Sequence, residues 1–283
     1  HGVHRRQRQM CIRDRSTGAL IVAPQNRDPE TIAQAIQNQK VRLLPASPTF
    51  LNLFLISGVP SRYDLSSLRF ITYGTEPMPQ SLLKRIKEAF PKAKLIQTFG
   101  TSETGISQTS SRSSTSTLIK FDDPNTEYKI VDGELWLRSK SQILGYLNHE
   151  MSRFTEDGWF KTGDLLEPAS QEEGENYFRI VGRKQEIINV GGEKVTPSEV
   201  ESTLLEIPEI DDCLVYAESN AITGQIVAAD IVLKAHCDPK TLKRAIKNYC
   251  RSKLSSYKIP VKIYFKEATN ISSRYKKMRL KES

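Results

Sequence analysis

The sequence lacks any run of eighteen apolar residues, so it holds no segment able to cross a bilayer as a helix. Its most apolar stretch, Phe50 to Ile56, is far too short for that. No signal-peptide pattern opens the chain. Cysteine is scarce. Cys11, Cys213, Cys237 and Cys250 show no C-x-x-C spacing and no histidine at metal-ligand intervals. That argues against a zinc site and for scattered reduced thiols in a cytoplasmic protein. No G-x-x-x-x-G-K-S/T loop occurs, which removes the P-loop route to nucleotide binding. Internal repeats are absent. The one low-complexity patch, Ser107 to Thr117, reads as a loop.

What is present is a 283-residue chain, long enough for one large or two medium domains. The net charge of +8 sits at two ends. Residues 1–15 carry five arginines against Asp14, and residues 274–283 carry five basic residues against Glu282. The rest of the chain is close to neutral, with both signs interspersed, so the excess marks no nucleic-acid face. Residues 1–15 have neither helical nor strand periodicity and read as a non-native or disordered leader.

From Gly18 onward, strands and helices alternate. Ala19–Ala23, Val41–Leu44, Arg69–Tyr73 and Lys94–Phe99 read as strands. Asp28-Pro29-Glu30 and Ser47-Pro48 read as helix starts, with a side-chain cap followed by proline at the first helical position. A further amphipathic helix covers Pro79–Phe90. This alternation predicts a parallel sheet covered on both faces. Asp132-Gly133 then signals a hairpin turn within a small antiparallel region. After Gly182-Arg183, Thr196-Pro197-Ser198-Glu199 reads as a capping box. Strands at Cys213–Ala217, Ile226–Leu233 and Val261–Phe265, with a helix from Asp238-Pro239, complete a compact α+β unit.

Six segments stand out in order, and five of them hold residues that could carry chemistry. Tyr73-Gly74-Thr75-Glu76-Pro77 puts glycine at a strand end, where a flat group could approach the main chain, although an ordinary turn has the same form. Phe99-Gly100-Thr101-Ser102-Glu103 groups a ring, two hydroxyls and a carboxylate of the kind that holds a hard cation beside phosphate. Gly133-Glu134-Leu135-Trp136-Leu137 through Gly145-Tyr146 reads as scaffold, with Trp136 in the core. Trp159-Phe160-Lys161-Thr162-Gly163-Asp164 ends on a carboxylate. Gly182-Arg183-Lys184-Gln185-Glu186 leads through Gly191-Gly192 to Pro197-Ser198-Glu199. Leu254-Ser255-Ser256-Tyr257-Lys258-Ile259-Pro260 precedes Ser272-Ser273-Arg274-Tyr275-Lys276-Lys277-Met278-Arg279.

In this order the segments resemble the adenylate-forming (AMP-binding) family, which includes acyl-CoA synthetases, luciferases and nonribosomal-peptide adenylation domains. The resemblance spans nearly all of Gly18 to Arg279. It implies the C-terminal part of a large α/β adenylation domain over residues 16–184, with a parallel sheet and a small antiparallel β region. A small α+β lid domain over 185–283 would follow. It implies ATP-dependent, Mg²⁺-assisted conversion of a carboxylic acid to an acyl-adenylate, then transfer to the thiol of coenzyme A or phosphopantetheine.

By the same resemblance, Gly74, Thr75, Glu76 and Pro77 flank adenine, and Phe99, beside Gly100, stacks on it. Thr101 and Ser102 offer hydroxyls to the α-phosphate or the acyl carboxylate, and Glu103 holds Mg²⁺. Asp164 accepts from the ribose hydroxyls, while Arg183 contacts ribose and phosphate. Gln185 falls on the hinge, where the family more often has Asp or Lys. Gly191 and Gly192 line the thiol channel. Lys276 is the catalytic lysine, with Arg279 on the motif's arginine position. Tyr275 stands where the family has glycine, and Lys277 is a substitute for Lys276 if the loop shifts. The family's Gly/Ser/Thr-rich phosphate loop does not occur, which implies a truncated chain that does not adenylate efficiently alone. Two other readings stay open: an enzyme that loads an acyl carrier protein, and a non-catalytic nucleotide-binding protein.

Overall fold

The computed structural model describes residues 18–235, 237, 239–272 and 275–279. The leader, Cys11, Asp238, Ser273 and Arg274 lie outside the described residues. The chain forms a mixed α/β structure built on a parallel sheet, an antiparallel sheet and a smaller α+β unit.

The first unit is a three-stranded parallel sheet of β1 (Leu43–Ala46), β2 (Phe70–Tyr73) and β3 (Lys94–Gln97), in that order. Helices α1 (Pro29–Gln39), α2 (Pro48–Ile56), α3 (Val59–Arg62) and α4 (Gln80–Ala89) accompany it. The caps work as the sequence predicts. Asp28 accepts from the Thr31 N–H at 2.9 Å and Ser47 from the Phe50 N–H at 3.1 Å, each satisfying a free donor at a helix start. Leu44, Ile71 and Leu95 lie side by side in register and are buried, together with Ile36, Leu51, Phe54, Leu83 and Ile86.

The described residues cover one face of this sheet more fully than the other. The alternate row, Leu43, Phe70 and Lys94, is exposed, with Leu43 at 45% and Phe70 at 37%. Strands project successive side chains to opposite faces, so the alternate row is less buried, with Thr72 and Ile96 in it half-buried. Ala19–Ala23, expected as a buried strand, pairs with no strand among the described residues; Leu20 is 84% exposed. Its apolar run is short, and without a neighbouring strand to hydrogen-bond it stays irregular.

The second unit is a hairpin of β4 (Phe99–Thr101) and β5 (Gly105–Ser107), followed by a six-stranded antiparallel sheet. The sheet runs β6 (Thr109–Ser111), β7 (Leu118–Phe121), β11 (Phe178–Arg183), β10 (Phe160–Pro168), β9 (Glu134–Ser139) and β8 (Thr126–Val131). The Ser/Thr-rich stretch is therefore not a plain loop: Thr109–Ser111 pairs with residues 119–121, because β-branched and small residues tolerate an edge strand. Asp132 and Gly133 both adopt positive φ, 50° and 77°, as the β8–β9 turn requires. Trp136 is half-buried on the sheet's outer face under Lys129 and Lys161, not in the core.

A single 3₁₀ turn, Lys184–Glu186, connects to the third unit. It contains β12 (Ile188–Val190), β13 (Glu193–Val195), α5 (Pro197–Leu204), β14 (Ile210–Asn220), β15 (Gly224–Leu233), α6 (Pro239–Lys253) and β16 (Lys262–Phe265). β16 pairs parallel to β15, and Ile188, Val200, Leu204, Val215, Val227 and Ile246 form the core. The expected capping box at α5 does not form. Thr196 makes no side-chain cap. The Glu199 carboxylate is held instead by the Lys258 ammonium at 2.7 Å, and the Ser198 hydroxyl donates to the Val181 carbonyl.

Candidate active site

Strands β10 and β11 place Asp164 directly opposite Arg183. The Arg183 Nε lies 3.0 Å from Asp164 Oδ1. Several contacts fix the turn before Asp164. Glu134 Oε1 accepts from the Gly163 N–H at 3.0 Å, and its Oε2 lies 3.0 Å from the Lys184 ammonium. The Thr162 hydroxyl donates to the Leu135 carbonyl at 2.7 Å and accepts from the Asp164 N–H at 3.0 Å. The Arg153 guanidinium donates to the Lys161 and Thr162 carbonyls.

Burial pushes the Asp164 carboxyl above the ordinary range. The cations Arg183, Arg153 and Lys276 oppose that shift without cancelling it. A buried carboxylate that is short of partners is suited to accept hydrogen bonds from a ligand. Arg153 gave no signal in the sequence, where it sits in an aperiodic stretch. Glu134 was read only as scaffold, and it holds the turn in that role.

The Phe99–Glu103 segment forms a closed turn. Thr101 Oγ1 accepts from the Glu103 and Thr104 N–H groups at 3.2 and 3.0 Å, and Ser102 is exposed beside it. Glu103 is half-buried, and the Tyr146 hydroxyl donates to its Oε1 at 3.0 Å. Burial and this bond raise the Tyr146 hydroxyl to about 12. From the sequence, Tyr146 reads only as the end of a scaffold segment. Phe99 packs edge-on against Phe121, with centroids 5.5 Å apart, and is 8% exposed. That leaves little ring surface for a base in this conformation.

Gly74 is required by a different neighbour from the one expected: an added Cβ would lie 2.4 Å from the Thr98 carbonyl oxygen. Thr75 holds φ of 73°, a left-handed conformation rare for a β-branched residue. Pro77 lines a small cleft between the first and third units. The Glu76 side chain faces the same cleft. Its Oε2 accepts from Thr49 Oγ1 at 2.8 Å and its Oε1 from the Lys277 N–H at 2.8 Å.

The C-terminal segment folds back as a short hairpin, with Ile271 bridging Lys277 and the Ser272 N–H donating to the Lys276 carbonyl at 2.8 Å. Lys276 is close enough to Asp164 for its charge to favour the ionised carboxylate. Lys277 is not a spare for Lys276. Its ammonium is buried against Glu201 at 3.3 Å and Asp212 at 3.6 Å and donates to the Cys213 carbonyl. Arg279 joins Glu186 at 3.0 Å to Glu201 at 2.8 Å. Gln185 is exposed on the 3₁₀ turn between the second and third units. Gly191 and Gly192 form the exposed β12–β13 turn, at φ of 59° and 96°, with the Gly191 N–H donating to the Thr223 carbonyl. Among the described residues no group of three or more His, Cys, Asp or Glu could hold a metal.

An α/β sheet, an antiparallel sheet carrying a buried aspartate, and a small α+β unit whose last segment turns back onto the first unit through Tyr275 and Lys277 are the parts of an adenylate-forming enzyme. Residues 15–147 match the AMP-binding enzyme family and residues 199–273 its AMP-binding enzyme C-terminal domain; the chain belongs to that family. Among its relatives, the 4-coumarate–CoA ligase-like 9 of Arabidopsis thaliana is 30% identical over 80% of this chain and 43% of its own length. Acyl-CoA synthetase 7 of Caenorhabditis elegans is 29% identical over 82% of this chain and 45% of its own. The anthranilate CoA ligase AuaEII, solved with anthranoyl-AMP, superimposes with a TM-score of 0.74 at 26% identity, over 87% of this chain and 50% of that one. The chain thus spans about half the length of the curated relatives it matches.

Proposed function

We propose that the protein this chain represents activates a carboxylic acid with ATP and transfers the acyl group to coenzyme A. The carrying observation is the buried Asp164 carboxylate, paired with Arg183 at 3.0 Å on a turn that Glu134, Thr162 and Arg153 hold in place. The relatives named above are CoA ligases or synthetases, which favours coenzyme A over a carrier protein as acceptor. Among the described residues Cys213, Cys237 and Cys250 are free thiols, which suits a reducing compartment such as the cytoplasm, and no helix there is long and apolar enough to cross a membrane.

In the first half-reaction a carboxylate oxygen bonds to the α-phosphorus of ATP, the bridge to the β-phosphate breaks, and pyrophosphate leaves. Asp164 accepts from the ribose hydroxyls, and this replaces the hydration its carboxylate lacks. Arg183 adds donors to ribose and phosphate. The Lys276 ammonium and the Ser102 and Thr101 hydroxyls stabilise the negative charge that builds on the phosphoryl oxygens. Mg²⁺ suits Glu103, because this ion is usually bound by one or two carboxylates plus substrate phosphates, and it would neutralise phosphate charge there. Gly74, Thr75, Glu76 and Pro77 border the adenine side, with Phe99 and Gly100 behind.

In the second half-reaction the lid turns about Gln185. The Gly191–Gly192 turn admits a thiolate, whose sulfur bonds to the acyl carbon as AMP leaves.

The test is to incubate the full-length protein with ATP, Mg²⁺, CoA and a panel of fatty, aromatic and amino acids, and to search for thioesters by mass spectrometry. A CoA thioester that disappears in Lys276→Ala supports the reading. Pyrophosphate release without a CoA thioester favours loading of a carrier protein. ATP binding with neither product would make the protein non-catalytic.

A further inference from the structure

Tyr275 occupies the one position of the lysine segment where a side chain is least expected. Its φ is 53°, in the left-handed region that glycine enters freely and other residues avoid. The hairpin keeps the glycine-like backbone and adds a phenol ring. That ring packs against the core of the first unit. It meets Phe50 edge-to-face, with centroids 5.2 Å apart and planes at 79°. The Tyr275 carbonyl accepts from the Ser47 hydroxyl at 2.6 Å, the same hydroxyl that caps α2. Two residues on, the Lys277 N–H donates to Glu76. Lys276 is therefore bracketed by two anchors to the parallel-sheet unit, Tyr275 before it and the Lys277 main chain after it.

We propose that Tyr275 is a positioning residue: an aromatic anchor that fastens the lid to the parallel-sheet unit and so fixes where Lys276 stands during adenylation. This rests on the adenylate-forming reading above. The anchor acts in the adenylation half-reaction only. Turning the lid for thiol transfer must draw the ring off Phe50 and break the Ser47 bond, so the anchor favours the first half-reaction and resists the passage to the second.

The test uses the full-length protein with Tyr275→Gly and Tyr275→Phe. Glycine suits the left-handed backbone, so the first variant removes the ring without straining the fold. Two rates are read: acid-dependent ATP–pyrophosphate exchange, and thioester formation from preformed acyl-adenylate and CoA. Tyr275→Gly should slow pyrophosphate exchange about tenfold, in proportion to the loss of a buried aromatic contact. It should leave thioester formation equal or faster, and Tyr275→Phe should restore the exchange rate. Unchanged pyrophosphate exchange in Tyr275→Gly, or an equal fall in both half-reactions, overturns the proposal.

Amide hydrogen exchange of residues 271–279 gives an arm that needs no activity. The Ser272 and Lys277 amides should exchange at least about tenfold faster in Tyr275→Gly than in wild type or Tyr275→Phe, and equal rates would refute the anchor. If the wild type shows no pyrophosphate exchange with any acid, the proposed function fails while the hydrogen-exchange arm still decides the anchor.

Discussion

Two buried carboxylates in this molecule are treated in opposite ways. Glu201, its side chain 4% exposed, meets the Lys277 ammonium, the Arg279 guanidinium and the Val215 N–H. Burial works against its charge, but Arg279 and Lys277 outweigh it, and the carboxyl sits below the usual range. Asp164, 9% exposed, pairs with Arg183, which is itself 41% exposed. Burial wins there, and the carboxyl sits above the usual range. The first group is complete without a ligand. The second is under-compensated, which is what a site built to receive hydroxyl donors requires.

The largest expected break in this comparison is Glu201→Gln. Removing one member of a buried pair leaves Lys277 and Arg279 under-compensated and should cost about 3–5 kcal/mol in chemical denaturation. Because the folded-state value of Glu201 is depressed, its contribution is present above the unfolded value of 4.5 and is lost as pH falls through the folded value. Glu201→Gln should therefore flatten the acid limb of the stability–pH curve.

Asp164→Asn should do the reverse. Its folded-state value is raised above 3.8, so ionisation weighs against folding at neutral pH. The variant should melt no lower than wild type at pH 7, while ATP affinity measured by calorimetry falls at least about tenfold through loss of charge-assisted bonds. A melt well below wild type would make Asp164 a structural carboxylate like Glu201.

Tyr146→Phe removes the hydroxyl from Glu103 and should cost about 1 kcal/mol, read as a several-fold higher Mg²⁺ requirement for pyrophosphate exchange. Lys258→Ala, which frees the exposed Glu199, should change denaturation by less than about 1 kcal/mol.

The sequence revealed its elements where local rules decide them. The Asp28 and Ser47 caps and the Asp132-Gly133 turn depend on neighbours three residues away or fewer, and all appear as read. It misled where partners are distant. Ala19–Ala23 has strand composition but no strand beside it among the described residues. Thr196 has capping-box spacing, but Lys258, 59 residues from Glu199, takes the glutamate that would complete it. In the candidate site, the order of segments pointed to Asp164, Arg183 and Lys276, whereas Glu134 and Arg153 gain a role only at the folded turn before Asp164, and Tyr146 only through its bond to Glu103. Lys277 looked like a spare amine because charge in a basic stretch usually means solvent; burial beside Glu201 and Asp212 gives it a different role.

The pairing of Lys277 with Glu201 also bears on how the chain is made. The two residues are 76 positions apart, an interval of roughly 4–15 s at typical synthesis rates of about 5–20 residues per second. For that interval Glu201 and Asp212 face a half-built lid without the cations that neutralise them. The lid reaches its final packing only after residues 277–279 leave the ribosome, and in the same moment Tyr275 reaches back 228 residues to Ser47. Completion of the lid and its fastening to the parallel-sheet unit are thus one event in the life of the nascent chain.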